Sequence, residues 1–320
     1  MELINAFPAI LLSGIILLLV VLLEKLLVWP DKSHPLTMMR LLGQSLANRV
    51  LKKPQRSDYQ QKVSGALSVF VILFPVLLTA LTFLWFAEYQ WFFDALFLFI
   101  ALQFVPVIQK TKQIDTLLHA QKKALARNHL SRIVLRQVDN LSLMGITKAN
   151  METLVLRFHY QYLTTLFWFL ILGGIGALFY RMCYELSQQW NIKQEKFKHF
   201  GRPVSILCYY MQWIPVRLSL ILFTGTLGLT GSWQAIKNQQ GGVSAHTLIL
   251  ATFAGAVGKQ LGGPAFYNNR KFRLAKVGPE NDPELADFGR LRTLLIQYQI
   301  VLLAFVALCY FGVFVTFSAR

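Results

Sequence analysis

Long apolar runs separated by basic stretches dominate the pattern of the chain. Residues 66–87 (ALSVFVILFPVLLTALTFLWFA) and 294–318 (LLIQYQIVLLAFVALCYFGVFVTFS) carry no charge. At a helical rise of about 1.5 Å per residue, either run crosses a hydrocarbon core roughly 30 Å thick. A transmembrane barrel would instead alternate apolar and polar residues in short segments. Backbone groups inside lipid must be paired within the segment, so the runs predict helices. A first span is expected over about residues 7–29, with Glu24 and Lys25 near its end. A second covers 66–87 and a third 91–108, joined by the short link Glu88-Tyr89-Gln90. Trp85, Tyr89 and Trp91 gather at that link, where an aromatic belt is expected.

The pattern changes over residues 109–160. Ile114, Leu117, Leu118, Leu125, Leu130, Ile133 and Val134 recur at helical spacing among Lys, Arg, Gln and His. This predicts an amphipathic helical region on the cytoplasmic side, an insertion within one membrane domain that covers residues 1–320. Residues 162–180 are apolar but interrupted by Gly173, Gly174 and Gly176, so they either cross fully or dip and return. Residues 203–233 hold Pro215 and Arg217 midway and are not expected to form one straight lipid-facing helix. Residues 243–262 are small and weakly apolar and either return the chain or re-enter. The fold class is therefore all-α, a polytopic membrane protein with roughly five to seven membrane-embedded helical segments, some re-entrant.

Composition supports that class. Of 320 residues, 55% are hydrophobic and 15% charged, with a mean hydropathy of +0.46; a soluble domain carries about 25% charged residues. The net charge of +17 raises the question of nucleic acid, but the charges fall where membrane topology puts them. Basic residues cluster between Lys25 and Lys62, Lys110 and Arg157, Arg181 and Arg202, and Arg270 and Arg292. The bias places loops 30–62, 109–160 and 263–292 in the cytoplasm and Glu88-Tyr89-Gln90 outside. Membrane lipid is the expected partner and nucleic acid is not. Cys183, Cys208 and Cys309 have no paired spacing and read as packing residues. The scattered histidines suggest no metal site, and no cofactor is identifiable from the residues.

Three places could carry chemistry. Residues 255–264 (GAVGKQLGGP) combine glycines that permit positive φ with Lys259, and N–H groups exposed in such a turn can hold a phosphate or carboxylate. The alternative is a tight helix crossing followed by a turn. Arg217 follows Pro215 near membrane depth, where a guanidinium faces an interior partner or snorkels to the interface. His34-Pro35 reads as a loop turn or as part of a site.

With these pieces in order, the chain resembles the CobD/CbiB family of cobalamin-biosynthesis membrane proteins over most of its length. The matching residues are His34-Pro35 followed by Gly43, then Leu130-Ser131-Arg132-Ile133-Val134 before Arg136. Glu152-Thr153 and Leu166-Phe167-Trp168 come next, leading to Leu172-Gly173-Gly174. Pro215-Val216-Arg217-Leu218, residues 258–264 (GKQLGGP) and Lys276-Val277-Gly278 complete the set. The resemblance implies an enzyme that joins aminopropanol or its phosphate to adenosylcobyric acid by an amide bond. It also implies a corrinoid substrate, a bacterial inner-membrane location and contact with other late cobalamin-pathway membrane proteins. It points to His34, Arg217, Lys259, Gln260, Gly262, Gly263 and Pro264 as substrate-binding residues and assigns no catalytic one.

The sequence departs from the family where acids are expected. After Glu-Thr the family typically reads Glu-Asn-Thr/Ser-x-Asp-Gly, whereas this chain has Leu156-Arg157-Phe158-His159-Tyr160-Gln161. A later Asn-Thr-Leu-Asp is replaced by Tyr184-Glu185-Leu186-Ser187, and a paired Asp-Asp by Cys208-Tyr209. Two function classes follow: an amide-forming synthase with an altered site, or a non-catalytic, AmpE-like membrane regulator or sensor on the same scaffold.

Overall fold

A computed structural model describes residues 9–52, 57–228, 230–238 and 244–318. The start of the expected first span, at residues 7 and 8, and Pro54 in the first basic loop lie outside the described residues. Twelve α-helices carry the described chain, here numbered in order. They are α1 (Ala9–Leu26), α2 (Pro35–Val50), α3 (Asp58–Phe86), α4 (Gln90–Leu102), α5 (Val105–His119), α6 (Lys123–Ser131), α7 (Leu143–Arg157), α8 (Thr164–Gln189), α9 (Arg202–Thr226), α10 (Gly231–Lys237), α11 (Ala245–Val257) and α12 (Leu285–Ser318). A π-helical turn over Phe158–Leu163 joins α7 to α8. Among the described residues, five helical stretches are long and apolar enough to cross a membrane: Asp58–Phe86, Gln90–His119, Leu143–Gln189, Arg202–Thr226 and Leu285–Thr316. The all-α polytopic class is thus observed. Residues 245–257 form a 13-residue helix, about 20 Å long and short of a full crossing.

The chain divides into two compact units. One comprises Met1–Gln103, Gln161–Gln212 and Leu303–Arg320, the other Phe104–Tyr160 and Trp213–Leu302. In the first unit, α4 and α8 pack closely. Gly173 in α8 takes φ 67°, ψ −160°, outside helical geometry. That break frees the N–H of Gly174, and the Asp94 carboxylate of α4 accepts it at 2.8 Å. A Cβ on Gly174 would lie 2.8 Å from the Asp94 backbone, so a glycine is needed where the helices touch. The glycine-interrupted run therefore continues as one broken helix to Gln189.

The expected first basic loop contains a helix. Pro35 stands at the start of α2, where its missing N–H costs nothing, and the His34 side chain caps it. Leu36, Met39, Gly43 and Ala47 bury one face of α2. They join a core that includes Met182, Leu186 and Trp190.

In the second unit, α5, α6 and α7 enclose a core containing Ile114, Leu118, Ala126, Leu130, Ile146 and Ala149. The amphipathic reading of residues 109–160 thus resolves into three helices. Residues 261–277 depart from the all-helical pattern. Strands β1 (Leu261–Gly262) and β4 (Lys276–Val277) pair antiparallel, with Leu261 opposite Val277 and Gly262 opposite Lys276. Between them β2 (Ala265–Tyr267) pairs with β3 (Arg270–Phe272). Asn268 and Asn269 both take positive φ, as the two-residue turn of a tight hairpin requires.

Candidate functional site

In the second unit, the glycine turn is built around a carboxylate from α7. Glu152 is nearly fully buried. Its Oε1 accepts the N–H of Gly262 at 2.8 Å, and its Oε2 pairs with Arg136 at 2.9 Å. Gly262 has φ 75° and Gly263 φ 101°. A Cβ on Gly262 would fall 2.2 Å from the carbonyl oxygen of Ala275, so no side chain fits there. The N–H of Gly263 is donated to that same Ala275 carbonyl at 3.1 Å, and the N–H of Gln260 to Asn281 at 2.7 Å. These N–H groups, expected from sequence to be available to a ligand, are therefore satisfied internally. Of the three, the Gly262 N–H is the one that holds an anion, the Glu152 carboxylate.

Basic side chains surround this turn. A Cβ placed on Gly263 would meet Lys276 Cγ at 3.5 Å and Lys148 Nζ at 4.0 Å, so two lysines flank the bare backbone. Pro264 follows on the exposed side. Lys259 points elsewhere. Its Nζ lies 2.7 Å from Glu284 and 3.3 Å from Asp287, and the hydrogen bond to Glu284 holds its pKa above the ordinary lysine value against some desolvation. Arg217, half-buried on α9, donates to the Trp213 carbonyl at 3.1 Å. Its guanidinium stacks 4.0 Å over the Trp213 ring, a cation–π contact one turn back along its own helix.

His34 belongs to the first unit and sits in a different polar cluster. Its Nδ1 accepts the N–H of Leu36 at 3.2 Å, which leaves the proton of the neutral ring on Nε2. Trp29 meets the ring edge-on at 5.3 Å. Burial, reinforced by Arg181 and Arg40 and opposed by Asp31 and Glu185, lowers the His34 pKa to about 4. Nearby, Glu185 bridges two guanidinium groups, Arg40 at 2.7 Å and Arg181 at 2.5 Å. Arg181 also donates to the Ala101 carbonyl. Gln103 accepts from Arg40 at 3.0 Å and donates to Asp31 at 3.0 Å. Two arginines thus share the Glu185 carboxylate, and Gln103 links Arg40 to Asp31; charges in a low-dielectric setting need such partners.

The residues singled out from sequence therefore fall into separate settings. Lys259, Gln260, Gly262, Gly263 and Pro264 form one continuous turn. Arg217 packs on Trp213, and His34 caps α2 in the first unit. Arg136, Lys148, Arg40 and Arg181 were not among the sequence-derived candidates. Arg181 and Glu185 stand four apart on one helix, a spacing at which a pair is readable. Arg40 and Glu185 are 145 positions apart, and nothing local links them.

Two family-like segments meet the one carrying Glu152: the one ending at Arg136 and the glycine turn, whose Gly262 in turn pairs with the strand residue Lys276. The family model for CobD/Cbib proteins matches residues 17–295. The chain belongs to the CobD/CbiB family. Among its relatives, the cobalamin biosynthesis protein CobD of Chromobacterium violaceum is 24% identical over 282 residues, covering 87% of this chain and 90% of that one. The protein of the same name from Klebsiella pneumoniae is 26% identical over 301 residues, covering 88% and 92%. A probable cobalamin biosynthesis protein CobD from Thermoplasma acidophilum is 35% identical over a shorter stretch of 94 residues, 29% of this chain and 31% of its own. No solved structure matches the chain. Against the family pattern, this CobD/CbiB member keeps the glycine turn and clamps it with Glu152.

Proposed function

We propose that the chain acts in cobalamin biosynthesis, at the step that joins aminopropanol or its phosphate to the corrinoid adenosylcobyric acid through an amide bond. The observation carrying this reading is the convergence of the Arg136 segment and the glycine turn on Glu152, with the Lys276 strand paired to that turn. Amide formation needs an amine held close to an activated carboxylate, so positioning supplies much of the effect. Lys148 and Lys276, flanking the side-chain-free Gly263, suit an anionic group such as a phosphate. The turn formed by Lys259, Gln260, Gly262 and Pro264 walls that site through its backbone, the Lys259 ammonium being held by Glu284 and Asp287, and Arg217 contributes from α9. Glu152 has both oxygens engaged; it is a positioning residue for the turn and not the base. His34 acts with the Arg40–Glu185–Arg181 cluster in the first unit. On this reading the chain is a multi-pass protein of the bacterial inner membrane, surrounded by lipid and by other late cobalamin-pathway membrane proteins.

A second reading rests on a specific observation. Glu152 and Lys259 are engaged by Arg136 and Glu284 within the protein, and the family's acidic motif after Thr153 is missing. Both fit a non-catalytic, AmpE-like regulator on the same scaffold. Complementation separates the two. A strain lacking its family synthase, expressing this chain, should grow when given cobyric acid. Growth on cobinamide but not on cobyric acid, with the protein present in the membrane, would reject the synthase reading in favour of the regulator.

A further inference from the structure

Helix α2 has three faces, and one of them is apolar and exposed among the described residues. Leu36, Met39, Gly43 and Ala47 face the protein core. Gln44 and Asn48 lie exposed on a polar flank, where Asn48 accepts from Lys196 at 2.8 Å. The remaining face presents Met38, Leu41 and Leu42, which are 66%, 61% and 61% exposed. These three recur at i, i+3 and i+4, so they form one continuous patch. Ser45 and Arg49 extend it toward the C-terminal end, and exposed Lys52 follows.

Length excludes a crossing. Sixteen residues make a helix about 24 Å long, short of the roughly 30 Å hydrocarbon core. Its neighbours in the chain hold it close to one surface. Apolar α1 ends at Leu26 and membrane-length α3 begins at Asp58. The links 27–34 and 51–57 each reach at most about 29 Å even when fully extended. A short helix tethered at both ends to apolar helices, with a core face, a polar flank and an apolar third face, has the pattern of a helix lying in a bilayer interface. Arg49 and Lys52 can run their aliphatic stems along the apolar patch and place their charges in the headgroup layer.

We propose that α2 lies in the plane of the membrane surface, with Met38, Leu41 and Leu42 inserted among lipid acyl chains and Arg49 and Lys52 at the level of anionic phosphates. The bilayer then forms one wall of the element that supplies both the His34 cap and Arg40. Through Arg40, contact with lipid bears on the Glu185–Arg181 ion pairs of the first unit.

The test uses the full-length protein in lipid nanodiscs of mixed zwitterionic and anionic phospholipid. Cys183, Cys208 and Cys309 are replaced, and an environment-sensitive fluorophore is attached to Leu42→Cys or, as control, Gln44→Cys. A lipid carrying a nitroxide quencher near its headgroup should quench the Leu42 label several-fold more strongly than the Gln44 label. A water-soluble quencher should show the reverse order. Arg49→Glu with Lys52→Glu should weaken lipid quenching at position 42 in anionic nanodiscs while leaving it unchanged in purely zwitterionic ones. Equal quenching at the two positions, loss of lipid quenching at position 42 with water access retained, or shielding of position 42 from both quenchers, as a second protein copy would give, overturns the proposal.

Discussion

Glu152 and Gly262, 110 positions apart in sequence, are joined by a hydrogen bond of 2.8 Å from the glycine N–H to the buried carboxylate. The contact fixes the glycine turn from outside the loop. Because the other carboxylate oxygen holds Arg136, two separate losses can be told apart. Glu152→Gln should keep an acceptor for Gly262 while losing the charge pair. Glu152→Ala should also leave the partly buried N–H without its acceptor, a further cost of up to about 1–3 kcal/mol. Thermal unfolding in detergent should therefore rank wild type above Glu152→Gln and Glu152→Ala last. Equal midpoints for the two variants would mean the Gly262 bond contributes nothing.

Glycine replacements should divide sharply by site. Gly262→Ala places a methyl against the Ala275 carbonyl at a position of φ 75°. It should lower stability and the amount of folded protein recovered. Gly289→Ala meets nothing within 4 Å in helix α12. There the alanine should be neutral or raise stability by up to about 1 kcal/mol through helix propensity. Matching losses at both positions would contradict the geometry.

His34 makes stability depend on pH in a defined direction. The unfolded chain titrates this histidine near 6.5, the folded protein near 4. Between those values the unfolded state binds the proton that the folded state excludes, so stability falls as pH is lowered from 6.5 toward 4. Above 6.5 the group adds no slope. His34→Asn can still accept the Leu36 N–H as a helix cap but does not titrate, so its midpoint should fall less over that interval. Parallel curves for variant and wild type would assign the acid sensitivity elsewhere.

Ligand binding gives a fourth expectation. Lys148→Met should weaken binding of aminopropanol phosphate by about tenfold, since a charged hydrogen bond contributes roughly 1.5–3 kcal/mol. Arg217→Gln should fold normally and weaken it by a smaller factor, because Arg217 is already engaged by the Trp213 carbonyl and ring. Calorimetry on detergent-solubilised protein measures both. A larger effect at Arg217 than at Lys148 would reverse their assigned weights.

The membrane helices were legible because a charge-free run of twenty residues has few other solutions. Helix α2 was hidden within a basic stretch, although Leu36, Met39, Gly43 and Ala47 carry its period. The short strands were hidden for a different reason. Two- and three-residue segments are too brief for alternation to register, and only the Asn268-Asn269 pair marks the turn. At the glycine turn, sequence showed backbone able to bind an anion. It could not show that Glu152 from a distant helix already fills that role, because the contact depends on tertiary packing. The same limit concealed Arg40 beside Glu185, whereas Arg181 lay one helical turn away.

Gly173 gives α8 a mechanical property that its continuous length conceals. The helical hydrogen-bond ladder is interrupted there, so fraying that starts in residues 164–172 has no unbroken path into 174–189. Asp94 closes the second segment as a separate cap, which makes it a latch on a seam between two independently opening units. Hydrogen–deuterium exchange should resolve two protection levels meeting at Gly173. Removing the latch with Asp94→Ala should speed exchange in the first turn after the seam and leave the segment before it at its original rate.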